Sequence, residues 1–228
     1  MNADFGRYDL KMMAAYVRGS LKRRDPLFEA PLESLTEADC FRLMETGREE
    51  GLKLHYFKRH EALPRVRAAR GFLRGIRPES LLDVGSGRGV FLFPFMREFP
   101  WVPVTSLDIL DRRVSLLGAI HDGGMENLTA LNASICEWNA PDASFDVVTM
   151  LEVLEHIPDV RAAVRNAVRL ARRYVVVTVP AKPDDNPEHI HLLTKPVLTE
   201  LFGAAGCEDL RFDGVPGHLF MVAKKGRL

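Results

Sequence analysis

The sequence predicts an α/β fold: a doubly wound, mostly parallel seven-stranded sheet with an antiparallel last strand and an N-terminal helical extension. Three observations carry this reading. The first 75 residues show helical patterning with no strand-like run. From residue 78 onward, short apolar runs alternate with amphipathic segments, the rhythm of a largely parallel sheet covered on both faces. The link "GVPG" between the last two strand-like runs is short enough for a hairpin, which reverses one strand.

The elements follow in order. "YDLKMMAAYVRGSLK" is amphipathic, "DPLFEAPLESLT" reads as a Pro-punctuated loop, and "TEAD" resembles a capping box opening a second helix. Pro64 suits the first turn of a third helix ending near Gly75. Arg67, Arg70, Arg74 and Arg77 share one side of it, as a phosphate-binding stripe or as a solvated face. "SLLDVG" is the first strand, and "GVFLFPFMREF" a helix in which Pro94 predicts a kink. "VPVTSLDI", "NLTALNA", "SFDVVTM" and "RYVVVTVP" are the next four strands, separated by the helices "DRRVSLLGAI" and "DVRAAVRNAVRLA". A loop, "AKPDDNPEHIHLLT", leads to the helix "KPVLTELFGAAG" and the closing strands "CEDLRFD" and "GHLFMVAKK". The chain divides accordingly into a helical extension over 1–75, expected to form a lid or an oligomer contact, and a ligand-binding domain over 76–228. Ligands of such a sheet sit beyond the carboxyl ends of its strands.

Composition narrows the function class. The 228 residues are 46% hydrophobic and 27% charged, with zero formal net charge, as expected of a globular protein. No apolar run approaches the roughly 18–20 residues needed to span a bilayer, so a cytoplasmic protein with no membrane partner is expected. Cys40, Cys136 and Cys207 are scattered, which argues against a zinc–thiolate site. Through residue 77 there are 16 Lys/Arg against 11 Asp/Glu, and afterwards 15 against 20. That basic surplus of five is weak support for an anionic partner, and the acidic second part speaks against nucleic acid.

"LLDVGSGRG" places Asp83 before Gly85, Gly87 and Gly89. Val90 stands where the dinucleotide fingerprint needs glycine, and neither a P-loop nor a nucleophile elbow fits. The stretch "DVGSGRG" resembles the first motif of class I S-adenosylmethionine-dependent methyltransferases, and "SLDI" resembles their second. "NASICEWNAPDASFDVVTMLEVLEHIPD" and "VPAKPDDNPEHIHLLTKPVLTELFGAAGCE" resemble the later parts of the methyltransferase type 11 and ubiquinone-pathway O-methyltransferase groups. The resemblance covers about residues 76–225 and implies a Rossmann-like methyltransferase fold with S-adenosylmethionine as cofactor. It implies that Asp83, Gly85, Ser86, Gly87 and Gly89 surround the methionine part. Asp108 would take the ribose hydroxyls, with Ile109 beside it. Ser134 and Ile135 would flank the adenine, with Asn132 a rival, and Met150 would belong to the cofactor wall. Many relatives carry an aspartate where this chain has Ser134.

In "LEVLEHIPD", Glu152, Glu155 and His156 fall at i, i+3 and i+4, spacing that converges on one side of a helix. Two carboxylates and an imidazole suit a divalent metal, and "ExxEH" resembles the metal-binding segment of small-RNA 2′-O-methyltransferases. On that reading Glu152, Glu155, His156 and His191, with His189 as alternative, are the ligands. Metal-free acid–base work by His156 or His191, oriented by Glu155, is a second reading. A structural role near a helix N-terminus is a third. His55, His60 and His121 read as polar surface, His218 as a strand-end residue or a rim of the pocket, and Trp101 and Trp138 as packing or pocket wall. The expected function is methyl transfer from S-adenosylmethionine to a small-molecule oxygen acceptor. RNA 2′-O-methylation and a non-catalytic adenosyl-ligand-binding partner subunit are the alternatives.

Overall fold

The computed structural model describes residues 6–57, 61–183 and 185–226. His60 therefore lies outside the described residues. Seven strands form one sheet: β1 Leu81–Val84, β2 Val104–Asp108, β3 Leu128–Asn132, β4 Phe145–Leu151, β5 Ala171–Pro180, β6 Cys207–Val215 and β7 His218–Lys225. Their order is β3-β2-β1-β4-β5-β7-β6. β1 to β5 run parallel, and β7 pairs antiparallel with both β5 and β6. The antiparallel strand is thus last in the chain but next to last in the sheet, because the hairpin inserts β7 between β5 and β6. Every residue of β1 is buried, as are Asp146 to Met150 of β4, since helices cover both faces of these central strands.

Among the described residues, four α-helices precede the sheet: α1 Arg7–Leu21, α2 Pro26–Glu29, α3 Glu37–Glu49 and α4 Pro64–Ile76. The remaining four lie between strands: α5 Leu92–Glu98, α6 Asp111–Asp122, α7 Val160–Leu170 and α8 Lys195–Ala204. One core joins α1, α3, α4, α5 and α6 to Leu81, Val104, Val147 and Val176 of the sheet. The other joins α7 and α8 to Leu82, Val148, Met150 and Val177. Fully burying each such aliphatic side chain is worth about 1.5–3 kcal/mol. The N-terminal helices therefore share a core with the sheet. α1 and α6 come together at two glycines: a Cβ on Gly19 would meet the Ala119 carbonyl oxygen at 1.9 Å, and one on Gly123 the Ala15 carbonyl oxygen at 1.8 Å.

Several local expectations hold. Thr36 and Asp39 form the capping box at the start of α3, and Pro64 opens α4. Others need correction. The segment expected as a loop after α1 contains α2, where the Asp25 carboxylate accepts from the Leu27 and Phe28 N–H groups at 2.9 and 3.2 Å. α5 begins only at Leu92, which leaves Pro94 in the first turn, where an N–H is not required and the ground for expecting a kink falls away. Arg70 and Arg74 are no anion stripe: both donate to Glu98, at 2.7 and 2.6 Å. Burial opposes charge on Glu98, but these two hydrogen bonds win and hold its carboxyl below the usual range. Among the described residues no helix is long and apolar enough to cross a membrane.

Candidate functional site

β1 lies between β2 and β4, so the connections leaving β1 and β4 diverge and open a crevice above their carboxyl ends. A cavity of about 820 Å³ occupies it, walled by the glycine loop, the ends of β2 and β3, and the segment after β4.

Gly85, Gly87 and Gly89 all have positive φ (67°, 56° and 78°), which lets the chain reverse tightly between β1 and α5. Their roles differ. A Cβ on Gly85 would meet Val153 at 2.6 Å and one on Gly89 the Phe93 ring at 2.5 Å. On Gly87 it would meet only the Gly85 carbonyl oxygen, at 3.9 Å, so that space opens toward the cavity. Asp83 and Ser86 lie beneath the loop and not in the cavity wall. Asp83 Oδ1 accepts from Thr149 Oγ1 at 2.6 Å, and its Oδ2 is buried without a hydrogen-bond partner. Burial pushes its carboxyl up to about 6, against the hydrogen bonds and with a smaller push from Asp108. Ser86 Oγ donates to the Asp83 carbonyl at 3.1 Å and accepts from Ser106 Oγ at 2.7 Å.

Asp108 is buried at the end of β2 and lines the cavity. It accepts from Gly87 N–H at 3.2 Å and Leu110 N–H at 3.0 Å, one on each oxygen. Each oxygen keeps a second acceptor position, so two adjacent hydroxyl donors still fit. Ile109 and Leu110 are exposed beside it, an apolar edge for a planar ring. Ser134 and Ile135 line the opposite wall. Ser134 Oγ accepts from Cys136 N–H at 3.2 Å and retains its own proton for donation. Asn132, the rival, is turned away and donates to Asp111. Met150 lies outside the cavity wall: fully buried, it packs with Leu82, Val148 and the α7 side of the core. Strand alternation puts it on that face.

The segment after β4 departs most from expectation. It is not a continuous helix; Leu154–His156 is a single 3₁₀ turn, so the i, i+3, i+4 convergence of Glu152, Glu155 and His156 does not arise. Glu152 precedes the turn in the left-handed region, with φ 59°. Its N–H donates to the Thr178 carbonyl at 3.0 Å, its Oε1 accepts from Thr178 Oγ1 at 2.7 Å, and its Oε2 lies 2.9 Å from His218 Nε2. A non-glycine residue in this conformation, fixed by three contacts at a cavity edge, is strain held in place by its surroundings.

Glu155 is fully buried. Among the described residues, Glu155, His156 and His189 each offer a ligand atom within 4.8 Å of the others, a group that omits Glu152 and His191. Glu152 is engaged by Thr178 and His218, and His191 Nε2 faces the Ile157 carbonyl at 3.0 Å. His156 Nδ1 donates to the Glu188 carbonyl at 2.9 Å, leaving Nε2 as the acceptor nitrogen of the neutral ring. His189, weighed only as an alternative, thus belongs with Glu155 and His156. His218, read as a strand-end residue, meets Glu152; only the hairpin register, which sets His218 opposite Pro180, brings it there. His121 is exposed and so is His55, while Trp101 is exposed and Trp138 packs against Phe145.

Comparison with known proteins agrees with this geometry. A family model described as a methyltransferase domain matches residues 54–211, more than half of the chain. The chain is 33% identical over 116 residues to a ubiquinone biosynthesis O-methyltransferase of Paramagnetospirillum magneticum, covering 51% of this chain and 45% of that protein. It is 27% identical over 177 residues to the enzyme of the same name from Idiomarina loihiensis, covering 66% and 72%. It spans less than half the length of the first of these relatives. The fold is also that of a magnesium protoporphyrin IX methyltransferase from Synechocystis PCC 6803 with bound SAH. There the TM-score is 0.55 and the identity 15%, over 71% of this chain and 82% of that one.

Proposed function

Because the chain belongs to the methyltransferase-domain family of S-adenosylmethionine-dependent enzymes, we propose that it methylates an oxygen of a small-molecule acceptor. The carrying observation is that one cavity is lined both by Gly85, Gly87 and Asp108 and by Glu152 and His156. The first set fits the cofactor: space above Gly87, open acceptor positions on Asp108, and an apolar edge at Ile109. When bound, the cofactor supplies an electrophilic methyl group on a sulfonium. The chain's own residues hold the adenosine between Ile109 and Ser134, and the Val153 and Ile157 side chains limit water at the acceptor edge. Glu152 and His156 offer hydrogen-bond acceptors for a hydroxyl at that edge. Oxygen as the acceptor atom draws further support from the names of the two relatives.

A divalent ion is a second element of this proposal. One carboxylate and two imidazoles suit Zn²⁺, Co²⁺, Mn²⁺ or Fe²⁺, and Glu155, His156 and His189 would hold it. Such an ion supplies a Lewis acid that acidifies a bound hydroxyl.

The test is incubation with methyl-labelled S-adenosylmethionine and a panel of catechols, with total RNA in a parallel arm. Label in an alkali-stable, extractable ether supports the proposal; label only in RNA overturns it. For the ion, chelator-stripped protein is melted with S-adenosylhomocysteine while each metal is added singly. A rise in the wild type that is lost in Glu155→Ala supports the ligand set. No rise with any metal removes the ion and leaves His156 as the proton acceptor to examine.

A further inference from the structure

Two doublets of basic residues, Arg172–Arg173 and Lys224–Lys225, stand far apart in the sequence. β5 and β7 are antiparallel, with Tyr174 opposite Lys224, so the start of one strand meets the end of the other and the doublets come together. They do so at the end of the sheet opposite the larger cavity, beside the residues that lead into β4. A second cavity, of about 290 Å³, lies there, lined by the four basic residues together with Tyr174 and Ala143. Among the described residues, no carboxylate stands in its wall.

The four cations share two acids. Arg172 donates to Glu79 and, at 3.2 Å, to Asp146 Oδ1. Arg173 donates to Asp146 Oδ2 at 2.9 Å and to the Ile76 carbonyl at 3.2 Å. Lys225 Nζ donates to the Arg169 and Ala171 carbonyls at 3.1 and 2.9 Å, which fix its position and cancel none of its charge. Lys224 is exposed, and its ammonium makes no ion pair or hydrogen bond among the described residues. Asp209, opposite it on β6, is taken by Arg211 at 3.2 Å. A surplus of two positive charges therefore faces this cavity. Its wall also holds backbone strain: Ala143 has φ 54°, and its N–H donates to the same Arg169 carbonyl that holds Lys225. Strain of this kind clusters at ligand sites.

We propose that this second cavity binds a small phosphate-bearing anion of the pyrophosphate class, held by Lys224, Lys225, Arg172 and Arg173. The surplus calls for a ligand with two or more negative charges. Guanidinia match phosphate oxygens with paired hydrogen bonds and ammonium groups meet them as point charges, so both doublets suit such a ligand. The volume lies just under the roughly 300–1,000 Å³ of pockets for drug-sized molecules, which limits the occupant to a small one. The site stands apart from the methyl-transfer reading and does not depend on it.

The experiment is isothermal titration of the whole chain with inorganic pyrophosphate, at two ionic strengths set with potassium chloride. Citrate and a short single-stranded RNA are the comparison arms. The wild type is expected to bind one pyrophosphate, and to bind it more weakly at the higher salt. Lys224→Gln, at an exposed position whose side chain supports no other contact, should weaken binding about tenfold, the loss of one charged hydrogen bond. Lys224→Glu should abolish it, and Lys224→Arg should keep most of the affinity. No saturable binding of pyrophosphate, or equal binding by the wild type and Lys224→Glu, overturns the site. Citrate bound as tightly as pyrophosphate overturns the phosphate assignment, and RNA bound in place of pyrophosphate overturns the small ligand.

Discussion

Glu152 Oε2 and His218 Nε2 stand 2.9 Å apart, joining the end of β4 to the start of β7 across the end of β5. His218 Nδ1 faces the Pro216 carbonyl at 3.1 Å, so both ring nitrogens meet acceptors and the ring cannot swing without losing one. The pair is set by the sheet and not by a flexible loop. If Glu152 receives the acceptor hydroxyl, His218→Leu should leave S-adenosylhomocysteine affinity within about twofold and lower turnover about tenfold or more. Titration calorimetry and a labelled-methyl assay read the two effects separately.

The left-handed backbone at Glu152 gives a stability prediction with a definite sign. Glu152→Ala and Glu152→Gly lose the same side-chain contacts, but only glycine escapes the steric cost of φ 59°. The glycine variant should therefore be more stable than the alanine variant by about 1 kcal/mol. At positions within β4 the order would be reversed. Urea unfolding of both variants decides it.

Asp108→Asn replaces one acceptor oxygen by a donor that faces the Gly87 or Leu110 N–H. S-adenosylhomocysteine should bind roughly 10- to 100-fold more weakly, the range for losing a hydrogen bond to a charged group. Equal affinity in calorimetry would place the ribose elsewhere.

Two glycine substitutions should separate folding from binding. Gly89→Ala drives a Cβ into the Phe93 ring and should lower the melting temperature without a ligand. Gly87→Ala meets no protein atom closer than 3.9 Å, so beyond its backbone cost it should chiefly remove the rise in melting temperature that S-adenosylhomocysteine causes.

Asp83 makes part of the stability pH-dependent. Its folded-state value of about 6 lies above the ordinary carboxylate value near 4, so the native protein holds the extra proton between them. The stability due to this group is complete below about pH 4 and is lost as pH rises through about 6. The difference in unfolding free energy between wild type and Asp83→Asn, measured in urea from pH 4.5 to 7.5, should shrink to a lower plateau above about pH 6.5. A flat difference would show that the buried carboxyl titrates normally.

The strands and the glycine loop were legible because period-two burial and glycine spacing are local signals. Asp108 was legible as an acid in the cavity wall for the same reason, standing at the end of β2. The geometry after β4 was not. "LEVLEH" has helical spacing, yet Leu154 and Glu155 are drawn into the interior and Glu152 is turned back toward Thr178, so tertiary contacts override the spacing. Met150 was placed with the cofactor for its position at the strand end, whereas the face of the strand decides where a side chain points. Arg113 reaches the cavity wall through helix placement, and Thr178 and His218 reach Glu152 through strand register, which no local pattern records.

The close contact of α1 with α6 at Gly19 and Gly123 bears on how this protein can be re-engineered. α6 begins just after Asp108 and carries Arg113, so the N-terminal helices brace one wall of the cavity. Grafting the first 75 residues of a relative that lacks glycine at the position of Gly19 would place a Cβ or a longer side chain between two backbones that nearly touch. A transplant that moves residues 1–76 and 111–123 together keeps the two halves of that contact matched. Chimeras cut at residue 76 alone should express poorly, and those that do fold should have lost cofactor affinity before they show any new acceptor.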